Sequence, residues 1–121
     1  MPEGIGAKCG APWRPGLVLV SDGGFLYTAQ ELATAVEELD SPLVVLLWNN
    51  DALGQIRDDM LNLDIEPIGV LPRNPDFAAL ARAFGCTVSE PQNLDELQTD
   101  LRNGFKRNGV TLIELKHACA C

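Results

Sequence analysis

Leu17-Val18-Leu19-Val20-Ser21-Asp22-Gly23-Gly24 and, fewer than thirty residues later, Leu43-Val44-Val45-Leu46-Leu47-Trp48-Asn49-Asn50 decide the fold. Each is an apolar run of strand length that stops on oxygen-bearing side chains. Both read as buried strands, and the unbroken run from Leu43 to Trp48 has the pattern of a strand covered on both faces. In an open α/β sheet, ligands bind in the crevice beyond the carboxyl ends of the strands. A carboxylate from one strand end and a carboxamide from the next are hard oxygen ligands, suited to Mg²⁺ or Ca²⁺ rather than to a soft metal.

Working outward, strand and helix alternate. Residues 1–16 are rich in Gly and Pro, with a short helical stub around Ile5 to Cys9. Thr28-Ala29-Gln30-Glu31 fits a capping box, which predicts a helix to about Leu39 with Leu32, Ala35, Val36 and Leu39 on one face. A second helix is predicted over Leu53 to Leu63. An irregular stretch, 64–74, holds Pro67, Gly69 and Pro72. Asn74-Pro75-Asp76 opens a third helix through Phe84, with Gly85 as its C′ residue. Cys86 to Val88 is a short strand, Asn93 or Asp95 opens a helix to about Arg107, and Asn108-Gly109 turns into a last strand, Val110 to Leu115. This alternation predicts an α/β three-layer sandwich, a mostly parallel sheet with helices on both faces.

At 121 residues the chain reads as one domain, 1–121, able to bury about 65–70% of its unfolded surface. Its 46% apolar and 21% charged residues are globular proportions. The net charge of −8 argues against nucleic acid as a partner, since phosphate backbones need clustered Lys and Arg. It leaves room for a phosphate ligand, because a bound Mg²⁺ would reverse the local field. No run approaches the ~20 apolar residues that cross a bilayer, and no signal segment opens the chain, so a cytoplasmic protein is expected, with no membrane partner.

Several features have plainer readings. Cys9, Cys86, Cys119 and Cys121 form no CxxC pair and read as reduced thiols, although His117, Cys119 and Cys121 could form a tail metal site. His117 is the sole histidine and has no nucleophile beside it, which weighs against a Ser/His or Cys/His hydrolase. Asp58-Asp59 reads as a solvated helix face, and Trp13 and Trp48 as packing residues. The stripe Phe77, Leu80, Phe84 reads as core. Asp-Gly-Gly alone is also ordinary turn chemistry, with glycine allowing positive φ; its pairing with Asn49-Asn50 at a second strand end is what favours a site. The helix after each strand end adds free N–H groups that attract anions.

Taken together, Asp22-Gly23-Gly24-Phe25, Thr28 to Ala35 and Asn49-Asn50 resemble the GDG…NN cofactor motif of thiamine diphosphate enzymes. Asn74-Pro75-Asp76-Phe77, Leu80-Ala81, Ala83-Phe84-Gly85 and Thr111 to Leu115 resemble the same family's following segments. The likeness covers nearly the whole chain. Its nearest branch is the 2-oxo acid decarboxylase and acetolactate synthase-like group, with the 5-guanidino-2-oxopentanoate decarboxylases within it. The resemblance implies thiamine diphosphate and Mg²⁺ as cofactors. Asp22, the Asn50 side chain and the Ala52 carbonyl would be metal ligands. Ser21, Gly23 and Gly24 would lie on the diphosphate, the two glycines through their N–H groups. Leu53, Gln55 and Ile56 would approach the thiazolium side.

Two departures stand out. Ser21 occupies the position of the family's first Gly, which would cost about 1 kcal/mol or more if the backbone there needed positive φ. The larger departure is length. Family members carry pyrimidine-binding and middle domains, and the activating glutamate lies in the former. The chain therefore reads as the C-terminal diphosphate-binding domain with no catalytic residue of its own, inactive alone. It would be completed by a separate pyrimidine-domain chain, or be a non-catalytic interaction module. A homodimer or larger assembly is expected from apolar surface left open. A receiver-like or flavodoxin-like alternative would need an acidic cluster and a Lys at strand ends, for which Glu66 and Lys116 are poor candidates.

Overall fold

The computed structural model describes residues 1–116. The elements are α1 (Pro2–Gly10), β1 (Gly16–Ser21), α2 (Asp22–Leu26), α3 (Glu31–Glu38), β2 (Leu43–Asn49), α4 (Gly54–Asn62), α5 (Phe77–Ala83), β3 (Thr87–Ser89), α6 (Leu94–Gly104) and β4 (Val110–Lys116). The four strands pair in the order β1-β2-β4-β3, and every pair is parallel. The expected α/β sandwich is present.

Register explains the layers. Val18, Val45, Leu112 and Val88 are partners across the sheet, so they share one face, as do Val20, Leu47 and Glu114 one row on. That face packs against Ile5 of α1, Leu32 and Ala35 of α3, and Phe77 and Ala81 of α5. Phe25 and Phe77 meet edge to face, with ring centroids 5.5 Å apart. On the opposite face α6 lies over β2 and β4, its Gly104 so close that a Cβ there would stand 2.9 Å from Val44 Cγ2. Central β2 is therefore covered on both sides, as its unbroken apolar run predicts.

β1 departs from the expectation. It is an edge strand, and among the described residues nothing covers Leu17 and Leu19 on the α6 face; Leu19 is 69% exposed. Trp13, expected to pack, is 79% exposed. Lys8 is buried instead, its ammonium donating to the carbonyls of Pro12 and Arg14 and so holding the loop into β1. The predicted capping box at Thr28 does not form. Backbone i→i+3 bonds from Glu31, Leu32 and Ala33 already carry the chain from α2 into α3, and Gln30 at the N-cap has helical φ and ψ. An N-cap side chain needs an extended backbone, which this continuous turn excludes.

The other termini follow local chemistry. Asp76 caps α5, accepting from Ala79 N–H at 2.8 Å, so the helix starts at Phe77 rather than at Asn74. Asn93 caps α6 through Glu96 N–H at 2.9 Å. Gly85, at φ +90°, ends α5 in the left-handed conformation that its C′ assignment requires.

Candidate functional site

β1 ends at Ser21, whose hydroxyl accepts from Gly24 N–H at 3.2 Å and caps the short α2. Ser21 is extended (φ −80°, ψ 164°), so the serine carries no left-handed strain. Gly23 and Gly24 are not in the positive-φ region either; what they provide is room. A Cβ on Gly23 would lie 2.7 Å from Leu53 Cδ2. Asp22, the first residue of α2, is 1% exposed and turns Oδ1 onto Gly23 N–H at 2.8 Å.

β2 ends at Asn49, which is buried and donates to Glu114 Oε1 of β4 at 2.8 Å. Asn49 Oδ1 accepts from Asp51 N–H at 3.1 Å, an Asx-type turn. Asp51 itself is left-handed, at φ +52°, a conformation that Asp tolerates better than most residues. The chain then runs through Ala52 to Leu53, whose N–H bonds Val70 O at 2.9 Å, and α4 begins with no side-chain cap on its free N–H groups.

Ser21, Asp22, Asn50, Ala52, Leu53, Gln55 and Ile56 line one cavity of about 320 Å³, together with Gly54. Gly23 and Gly24 stand beside it at the head of α2. Both of their N–H groups are bonded inside the loop, to Asp22 Oδ1 and Ser21 Oγ. Asp58 and Asp59 are exposed on α4, where Arg57 pairs with Asp58 and Gln55 bonds Asp59. The candidate tail site of His117, Cys119 and Cys121 lies outside the described residues.

Asn74 is the site residue that the sequence pattern does not reveal. It reaches back from the loop before α5, and its amide nitrogen lies 2.8 Å from Asp22 Oδ2, 3.0 Å from Asn49 Oδ1 and 3.2 Å from Asp51 Oδ1. These contacts span long sequence separations, which no local pattern encodes. A second, polar cavity of about 340 Å³ adjoins from the other side, lined in part by Asn74, Asp51, Glu90, Glu114 and Lys116. There Lys116 bonds Glu90 at 3.2 Å. This bond, and then the nearby Glu114 charge, raise the ammonium above its usual pKa.

The donor chemistry around the first cavity fits a small hard cation: one carboxylate, one amide side chain and a backbone carbonyl, all able to offer oxygen. Among the described residues no three His, Cys, Asp or Glu side chains cluster as a metal site. The uncapped start of α4 opens on the same cavity, a setting that favours anions.

The family model for the C-terminal TPP-binding domain of thiamine pyrophosphate enzymes matches residues 1–115. The chain belongs to that family. It is 82% identical over 120 residues to the probable 2-ketoarginine decarboxylase AruI of Pseudomonas aeruginosa, covering 99% of this chain and 22% of that protein. It is 31% identical over 115 residues to the acetolactate synthase of Bacillus subtilis, covering 95% and 20%. Among solved structures, the thiamine diphosphate-dependent 4-hydroxybenzoylformate decarboxylase of Rhodococcus jostii RHA1 superposes with a TM-score of 0.90 at 25% identity, covering 98% of this chain and 23% of that one. Benzoylformate decarboxylase from Polynucleobacter necessarius shares the fold, with a TM-score of 0.83 at 22% identity over 93% and 21%. The chain thus spans about a fifth of the length of these curated relatives. The family match places thiamine diphosphate as the cofactor of this domain. Among the described residues no helix is long and apolar enough to cross a membrane.

Proposed function

We propose that the chain anchors the diphosphate end of thiamine diphosphate through Mg²⁺, as the C-terminal part of a 2-oxo acid decarboxylase acting on a substrate of the 2-ketoarginine kind. One observation carries this reading: the three proposed metal ligands Asp22, Asn50 and Ala52 line the same cavity as Ser21, Leu53, Gln55 and Ile56. The substrate class rests on the 82% identity to a protein of that name. When bound, the cofactor supplies an electron sink for loss of CO₂ from a 2-oxo acid.

The residues of this chain divide the remaining work. The Asp22 carboxylate, the Asn50 side-chain oxygen and the Ala52 carbonyl would hold the cation. The cation offsets the diphosphate charge in a chain of net charge −8. Gly24 N–H, held on the exposed Ser21 hydroxyl at 3.2 Å, would be a donor to the diphosphate. Gly23 leaves the backbone open to close approach. Leu53 and Ile56 present apolar surface and Gln55 an amide on the thiazolium side. None of these groups activates the cofactor, so the isolated polypeptide binds without turning over and works within a cytoplasmic assembly that supplies a glutamate-bearing pyrimidine site. Exposed Ile56, Leu61, Leu63, Ile65, Ile68 and Leu71, on α4 and the segment after it, favour self-association or docking of such a chain. The same surface supports a second reading, a non-catalytic oligomerising module.

Calorimetric titration of thiamine diphosphate into the purified chain, with and without Mg²⁺ and with Asp22→Ala alongside, tests the proposal. Binding is expected only with Mg²⁺ and is expected to vanish in Asp22→Ala. Absence of binding at millimolar cofactor overturns it. A monomer at all concentrations in sedimentation would remove the assembly part alone.

A further inference from the structure

We infer that Asn74 is the positioning residue of this centre, holding the Asp22 carboxylate and the Asn49 amide in register before any ligand arrives. This rests on the proposed role of Asp22 and adds a residue to it.

Asp22 is almost fully buried, and its two oxygens face two donors: Gly23 N–H on Oδ1 and the Asn74 amide on Oδ2. Removing the Asn74 amide leaves a buried carboxylate oxygen without its donor, which the protein answers by moving the side chain. Asn74 is also over-subscribed. Its two N–H hydrogens serve three oxygens, on Asp22, Asn49 and Asp51. Its own Oδ1, meanwhile, is buried and has no partner among the described residues. The amide is therefore oriented by the cluster of acceptors it faces: turned over, it would set its oxygen against three others, two of them carboxylate oxygens. The frame beyond is stiff. Pro75 biases Asn74 toward extended backbone, Asp76 caps α5 next to it, and Asn49 ties the cluster to Glu114 on β4. The donor is neutral, and this suits the task. A Lys or Arg at 74 would hold Asp22 equally well but would cancel the charge that draws a cation.

The test begins without ligand. In nitrogen-edited NMR spectra of the wild-type chain, the Asn74 side-chain protons are expected to shift away from free-amide positions and to exchange slowly. Both signatures should disappear in Asp22→Ala. Free-amide shifts and fast exchange in the wild type overturn the inference, whatever the cofactor does. In Asn74→Ala and in the isosteric Asn74→Asp, the Asp22 carboxyl carbon signal is expected to broaden or double, while an unchanged signal overturns the inference. Mn²⁺ affinity in the presence of thiamine diphosphate, read by electron paramagnetic resonance, is expected to fall at least tenfold in both variants. Tighter Mn²⁺ binding by Asn74→Asp would make position 74 a ligand and overturn the positioning role. If the wild type binds no Mn²⁺ with thiamine diphosphate, the proposed function fails, and the ligand-free spectra still decide Asn74.

Discussion

Asp22 and Asn49, at the ends of β1 and β2, are buried and bonded to residues from two other stretches of chain, β4 and the loop before α5. Leu63 and Ile68, in the segment after α4, are 71% and 77% exposed, and α4 itself buries no residue. The two regions adjoin, since α4 starts at the cavity rim. The side that presents oxygen ligands is held by bonds within the chain, so it keeps its geometry unaided. The α4 side is apolar and open, the composition of a surface that gains stability from a second body rather than from its own core. In this chain a hydrogen-bonded site and an exposed apolar segment lie side by side.

The strongest way to break this comparison is to truncate one side chain in each region. Leu47→Ala, in the fully buried row below Asn49, is expected to cost about 2–5 kcal/mol in urea unfolding. Leu63→Ala should change the same measurement by no more than about 0.5 kcal/mol and should reduce self-association in sedimentation. Equal costs at the two positions would mean that the α4 segment is core after all. Next in size is Gly85→Ala, which forces a Cβ into φ +90° and is expected to cost about 1–2 kcal/mol, read by thermal unfolding. The smallest effect concerns pH. Burial pushes the Cys86 thiol from 9.0 up to about 11. The unfolded thiol ionises first, so the folded state loses stability as pH rises from 9 to 11. In urea midpoints this drop is expected in the wild type and should be absent in Cys86→Ala; alkylation should reach exposed Cys9 well before Cys86.

Much of the architecture was legible because it is local. The unbroken apolar run of β2, the helical stripe that begins at Phe77, the Asn-Gly turn and the Gly85 stop each act within a few residues, and each stands where its pattern puts it. Seven of the site residues that the family resemblance implied share one cavity: Ser21, Asp22, Asn50, Ala52, Leu53, Gln55 and Ile56. The failures have one cause. Thr28 matches a capping box, but the i→i+3 turns from α2 had already set its backbone. Leu17 and Leu19 have a buried composition, yet they lie on an edge strand whose outer face α6 does not reach.

The amino-acid sequence by itself determined the parallel α/β alternation, the strand-end oxygens at Asp22 and Asn50, and the family, because periodicity, turn chemistry and motif spacing are properties of neighbouring residues. Only the tertiary structure decided that Ser21 sits extended without strain, that Glu114 holds Asn49, and that Asn74 closes on Asp22. These depend on which segments the sheet order brings together, and a hydrogen bond across 52 residues leaves no trace in local pattern.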